Sequence, residues 1–348
     1  MSQSDIAAAK AEANIHSAST SAAGRGLIGG RAGRIALAVT AVIVAAFASM
    51  IWLLQASLNE VGSRDRAAQM RLVGGALDSA FDQVGKFALA LAETTARRAD
   101  IGAALAAGDR ATLQQLSQAP YDYLKRQAGI QIYGFHNADI RYLLRMHKLE
   151  SFNDDISGFR QMVVAANRSK RPQTGVEIGI AGIGVRGVAV VNHNNAFAGT
   201  MEVGLDIQPI LDQVKATTNA DIAVVIVPSM SGVALDEKMP RFGDLNLAMS
   251  TDDDLFASLL RTSQVRPTRD IQIGEQRIGA RNYSMATQPL VDFSGRLVGM
   301  TIALKEDAGA TSRRVSTELW VIAACGGILA FVVFAVLFHT SFPRRRGE

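Results

Sequence analysis

The chain has 348 residues, 48% of them hydrophobic, 20% charged and 6% aromatic, with one cysteine and a formal charge of +4 from 36 basic and 32 acidic residues. A single cysteine excludes a disulfide scaffold, and so balanced a charge gives no argument for nucleic acid. The length suits about two domains, while a mean hydropathy of +0.14 points to a part of the chain solvated by lipid.

Residues 1–34 are rich in Ala, Ser and Gly without apolar periodicity and read as a disordered cytoplasmic tail. Ile35–Leu54 then runs without a charge. At about 1.5 Å per residue, a helix of about 20 residues crosses a hydrocarbon core, so 35–54 is predicted as the first transmembrane helix. It is too long for the apolar region of a cleaved signal peptide. The pattern stays helical to about Arg98 with no proline, and a second helix is expected over Ala111–Arg126, with Pro120 as a point of interruption. Residues 55–128 thus form a stalk helix and its companion.

The hydrophobic period then changes from 3.6 to 2. Strands are predicted at Ile130–His136 and Arg141–Lys148, joined by a tight turn at Asn137-Ala138-Asp139. A helix over Asp155–Ser169 follows, then strands Gly175–Ile180, Val185–Asn192 and Ala198–Leu205, then a helix at Pro209–Lys215. These make a first sheet module, 129–216. A second, 217–310, opens with a strand at Ile222–Val227 and a helix at Asp252–Ser263. A meander follows, Asp270–Gly274, Arg277–Thr287 and Leu297–Leu304, with turns at Glu275-Gln276 and Asp292–Gly295. Residues 319–338 are again free of charge and are predicted as a second transmembrane helix, with 339–348 as a short cytoplasmic tail. The fold class is α+β: two PAS-like antiparallel-sheet modules stacked on a long N-terminal helix, flanked by two transmembrane helices.

Basic residues near the spans are almost evenly split between the two sides, so the length of the Gln55–Glu318 segment decides the orientation. Long loops translocate largely regardless of charge. Both termini are placed in the cytoplasm and the folded mass in the periplasm, anchored in a bacterial inner membrane. Trp52 and Trp320, the only tryptophans, stand at the same membrane boundary, where amphipathic rings prefer to lie.

Motifs of chemistry are scarce. Gly182–Gly187 matches G-x-G-x-x-G, but a β pattern follows where a dinucleotide loop needs a helix, so it reads as a hairpin turn. No phosphate loop, zincin, nucleophile elbow or paired-cysteine pattern occurs, and His136, His147 and His193 have no metal-ligand spacing. No cofactor, metal or catalytic residue is predicted, and enzymatic activity is unsupported.

One stretch stands apart. With period two, Arg141, Leu143, Arg145 and His147 share a strand face. Lys148, Glu150, Asp154, Asp155 and Arg160 come close behind, and the next strands add Glu177 and Arg186. Such charge density in an apolar module means either salt bridges that tie loop to sheet or a pocket for a charged small molecule. Arginine suits carboxylate or phosphate because its planar fork bonds bidentately, and tyrosines, Tyr133 among them, could wall the pocket. The candidate ligand residues are Tyr133, Arg141, Arg145, His147, Asp155, Arg160, Glu177 and Arg186.

The run from Phe135 to Val163, with Arg145-x-His147-Lys148 and Asp154-Asp155 followed by Arg160, and then Gly175-x-Glu177-x-Gly179, resembles the double Cache sensor domain. The class it is most similar to is the double sensory domain of two-component sensor kinases. The likeness is densest over about Ile130–Ile210 and looser over Leu58–Asp307. Leu149 and Asn153 stand where the family commonly has proline and glycine. The resemblance implies ligand binding in the membrane-distal module, dimerisation along the N-terminal helix, and signalling through the second span. Relatives normally continue into a HAMP, kinase, cyclase or chemotaxis module where this chain stops, so a separate cytoplasmic or membrane partner is expected. The expected function is a sensor for a small anionic metabolite. A structural or adaptor envelope protein that binds another protein is the alternative.

Overall fold

The computed structural model describes residues 31–179, 182–232, 238–262, 265–307 and 310–340. His16, nearly all of the predicted N-terminal tail and most of the C-terminal tail lie outside them. The chain divides into two units, Met1–Arg64 with Ala308–Glu348, and Asp65–Asp307.

The first unit holds the start of α1 (Arg31–Ala96) and all of α8 (Ala310–Thr340). The apolar part of α1 has a mean hydropathy of 2.5, none of it buried, and meets the length and composition needed to cross a membrane. Among the described residues it is the one such helix; the apolar stretch Trp320–Val336 of α8 is shorter. These two helices touch where Gly326 lets α8 approach: a Cβ there would come within 2.7 Å of the Phe47 ring.

The second unit contains the rest of α1 and two antiparallel sheets. The first sheet comprises β1 (Ile130–Asn137), β2 (Tyr142–Arg145), β3 (Gln173–Gly179), β4 (Gly182–His193) and β5 (Ala196–Leu205), in the order β2-β1-β5-β4-β3. One face packs on α1, α2 (Ala99–Ala106) and α3 (Arg110–Ala128), with Ala92, Ile101, Leu113, Tyr133, Phe135, Leu144 and Met201 in its core. The other face is covered by α4 (Gln161–Ser169) and the segment before it. The predicted helix over Asp155–Ser169 is therefore shorter than expected: Asp155–Arg160 is irregular cover, and its Asp155 side chain bonds the Ser157 amide at 2.9 Å, as in a turn.

Pro120 does not interrupt α3. Its ring removes the N–H that would bond the Leu116 carbonyl, and Arg98 Nη1 reaches that oxygen instead at 3.4 Å. Asp109 caps the start of the helix through the Thr112 amide at 3.0 Å, and Gly129 ends it in the left-handed conformation. Gly182–Gly187 forms the first half of β4, not a turn. Its last glycine is required by packing, since a Cβ on Gly187 would overlap the backbone of Ala88 and Leu89 in α1.

After α5 (Gln208–Thr218) comes the second sheet, with β6 (Asp221–Ile226), β7 (Arg241–Phe242), β8 (Leu245–Ser250), β9 (Gln272–Ile278), β10 (Arg281–Val291) and β11 (Leu297–Glu306) in the order β7-β8-β6-β11-β10-β9. The short α6 (Pro228–Ser231) follows β6, and α7 (Asp253–Thr262) lies between β8 and β9. β6 is apolar from Ile222 to Ile226 because both its faces are buried there. Ile222, Val224 and Ile226 join α1 and α5 in one core, while Ala223 and Val225 meet Phe256 and Leu259 of α7 in another. The core on the α1 side also holds Ile178, Ile183 and Val185 of the first sheet, so the two sheets share apolar interior. The β9–β10 turn falls at Gly279-Ala280, with Gly279 at φ 59°, rather than at Glu275-Gln276, which pair within the strands.

Candidate functional site

A β-bulge decides which side chains meet beneath α4. In the β1–β2 pair, His136 opposes Tyr142, but Phe135 opposes Leu144 and Gly134 opposes Arg145, so Leu143 has no partner. An extra residue in one strand shifts its alternation by one. Tyr142 and Arg145 therefore share a face with Gly134 and His136, whereas plain period two had grouped Arg145 with Arg141, Leu143 and His147. The ring of Tyr142 can lie across β1 only because residue 134 is glycine: a Cβ there would sit 2.7 Å from Tyr142 Cε1. The Arg145 guanidinium stacks over that ring at 3.6 Å.

The same face brings Glu177 from β3, Arg186 from β4, and Thr200 and Glu202 from β5 under Arg160, the residue just before α4. Arg160 is 5% exposed, Glu177 3%, Arg186 4% and Glu202 0%. Arg160 Nε donates to Glu177 Oε2 at 2.8 Å, and its Nη2 pairs with Glu202 Oε1. Arg186 Nη1 donates to Glu202 Oε1 at 3.0 Å, and the Tyr142 hydroxyl to Glu202 Oε2 at 2.8 Å. Glu177 Oε1 accepts from the Met162 amide at 2.9 Å, which anchors the first turn of α4. His136 Nδ1 lies 2.9 Å from Thr200 Oγ1.

Two buried nitrogens in this cluster make no hydrogen bond: Arg186 Nε, 3.9 Å from Glu177 Oε2, and His136 Nε2, 3.5 Å from Glu202 Oε2. Buried polar atoms are nearly always satisfied, so these two are unusual. Burial opposes ionisation of Glu202, but Arg160 and Arg186 more than offset it and hold its carboxyl well below the usual range. Burial pushes the His136 imidazole down, against the nearby Glu202 charge, and the Tyr142 phenol up. Near neutral pH Glu202 is thus a carboxylate, His136 a neutral imidazole and Tyr142 a protonated phenol.

Of the residues singled out from sequence, Arg160, Glu177 and Arg186 meet in this cluster, and Arg145 borders it. Arg145 forms a bidentate pair with Asp154, both contacts at 2.6 Å, and also donates to the Ser151 carbonyl at 2.8 Å. Arg141 and Asp155 are exposed and bridge each other's backbone at the rim. His147 is exposed just beyond β2. Tyr133 is on the opposite face, where its hydroxyl meets Thr95 Oγ1 at 2.9 Å and its ring packs on Tyr121 and Phe135. Glu202, His136 and Thr200 were missed. A signal for Glu202 was present, because it is the lone charge in the strand Ala196–Leu205. Among the described residues no group of acidic, histidine or cysteine side chains could hold a metal ion.

Residues 67–305 match the family described as the double sensory domain of two-component sensor kinase. Solved structures with a similar fold include the periplasmic domain of Vibrio cholerae LuxQ, at 12% identity and TM-score 0.41, covering 68% of this chain and 99% of that one. The ligand-binding domain of the Campylobacter jejuni chemoreceptor Tlp3, in complex with 4-methylisoleucine, matches at 8% identity and TM-score 0.44, with coverage of 72% and 92%. The sensor domain of the V. cholerae histidine kinase DctB matches at 13% and 0.41, with coverage of 73% and 98%. No curated protein matches the chain.

Proposed function

Because the chain belongs to the family of double sensory domains of two-component sensor kinases, over residues 67–305, we propose that it is a membrane-anchored, extracytoplasmic sensor. In this reading it binds a small anionic metabolite at the buried cluster of the first sheet and signals through its two apolar helices to a separate partner. The observation that carries the reading is four buried charges beside two nitrogens without acceptors. Burying such charges is costly, and apolar residues in their place would often be as stable or more so, which argues for a use beyond holding the fold. When His136 Nδ1 accepts from Thr200, its Nε2 is a donor, as Arg186 Nε always is. A carboxylate or phosphate oxygen is the group that satisfies both.

The test is a thermal-shift screen of organic acids, phosphates and amino acids on the whole protein in detergent. Binders are expected among the acids, and Arg186→Met should abolish their shifts while circular dichroism stays unchanged. A screen without an acidic hit, or hits indifferent to Arg186→Met, would refute the anionic site.

A second reading, the adaptor that binds a protein, is favoured by one fact: every carboxylate oxygen of Glu177 and Glu202 already has a partner, as a purely structural tie would. A homodimer is part of the sensor proposal. Ala68, Leu72, Gly75 and Ser79 are exposed on α1 at spacings of four, three and four, Leu72 to 73%, the repeat of a helix seam. Leu72→Cys should cross-link between copies under mild oxidation, whereas Asp78→Cys, also exposed but about 90° around the helix from this stripe, should do so less. Equal yields at both positions would count against that seam.

A further inference from the structure

The turn between β10 and β11 belongs to the second sheet, yet it ends on the covered face of the first. The Phe293 amide donates to the Val176 carbonyl at 2.8 Å, a bond from this turn to the edge strand β3. Its ring packs into the small core formed by Tyr142, Ile156, Met162, Val163 and Val188. A side chain started at Gly175 would meet the Phe293 ring at 3.5 Å and Met162 Cε at 3.7 Å, so ring, strand and α4 converge there.

Both contacts border the charged cluster. Val176 immediately precedes Glu177, and the Met162 amide is the group that Glu177 Oε1 holds. The turn is also braced from within. Asp292, 7% exposed, accepts from the Ser294 amide at 2.9 Å, the Arg296 amide at 3.1 Å, and the Arg296 guanidinium at 2.7 and 3.1 Å. Loop tips usually project into solvent and move independently of their neighbours. This one is braced by its own hydrogen bonds and held to the strand that carries Glu177.

We propose that Phe293 is a positioning residue that couples the buried cluster to the second sheet. A shift of Glu177 or α4 moves the Phe293 wedge and with it β10 and β11. By reciprocity, the state of the second sheet sets how firmly β3 and α4 enclose the cluster. The purpose of this coupling rests on the sensor reading, but the coupling itself is a property of the unliganded fold and is tested without a ligand.

The experiment is hydrogen exchange on the full-length protein in detergent. In Phe293→Ala, amides of residues 160–164 and 173–179 should exchange about tenfold faster, while β1, β5 and α7 stay as in the parent. Phe293→Leu, which keeps an apolar wedge, should restore most of the protection. Glu177→Gln should in turn speed exchange at 292–296, an effect that simple packing of Phe293 would not produce. Asp292→Asn, which loosens the turn without touching the first sheet, keeps the test open should Phe293→Ala fail to fold, and should act in the same direction. Exchange that rises only within 291–297, that rises uniformly, or a turn that ignores Glu177→Gln would each overturn the proposal. Failure of the acid screen would leave all these results standing.

Discussion

Glu202 is the side chain on which the cluster depends, because it faces both guanidiniums and the Tyr142 hydroxyl at once. Glu202→Gln keeps the shape and removes one of two countercharges, leaving Arg160 and Arg186 to share Glu177. Breaking a buried pair in this way costs about 3–5 kcal/mol, readable as a lower denaturation midpoint. The same residues set a direction for pH. Folding lowers the pKa of His136 from its ordinary 6.5 and that of Glu202 from 4.5. Below each ordinary value the unfolded chain takes up the proton first, so the stability these groups confer is complete above it and lost on acidification. Unfolding curves should therefore show stability falling first below about pH 6.5 and more steeply below about pH 4.5. His136→Gln should shrink the first of these two phases without abolishing it, because partial desolvation also holds the His147 imidazole below its ordinary value. Sequence located half of this cluster. Arg160, Glu177 and Arg186 were visible as charges in an apolar context, but Tyr133 was misplaced and Glu202 passed over. Face assignment by alternation fails at a bulge, and a bulge depends on pairing with a strand elsewhere in the chain.

At the scale of elements, α1 sets the tolerance of what lies against it. Gly187 of β4 has the α1 backbone directly above it, so Gly187→Ala must push strand and helix apart. A cost of about 1–3 kcal/mol is expected, in the range for overpacking. Gly75 lies on the same helix with nothing within 4 Å of a would-be Cβ. Gly75→Ala should raise monomer stability by up to about 1 kcal/mol through helix propensity. If the seam proposed above is used, the same change should weaken association, and sedimentation of the two variants separates these effects. Element types were legible wherever the period was long and clean, as in α1, β4, β5 and β6. Boundaries were lost where a distant partner decides them. Pro120 stays helical because Arg98 supplies the donor, and β7 with β8 went unseen in a polar stretch that acquires strand character only by pairing with β6.

For the whole molecule, topology is the feature most open to direct test. The proposal places residues 55–318 outside the cytoplasm, so protease added to spheroplasts should cleave between the apolar helices, whereas inside-out vesicles should protect that region. The reverse pattern would invert the orientation and remove the basis for an extracytoplasmic ligand. Composition and periodicity by themselves determined that the chain has a bilayer-length apolar helix, a helical stalk and two β-rich modules, because these depend on local spacing of apolar residues. They also carried the family likeness, since its motifs are contiguous. The tertiary structure alone decided which charges converge, that the two sheets share interior across Ile178, Val185, Ile222 and Val224, and that Phe293 of one sheet closes the core beside the cluster of the other. Those are juxtapositions of residues far apart in the chain, and a hydrophobic pattern records that a side chain is buried without recording what it is buried against.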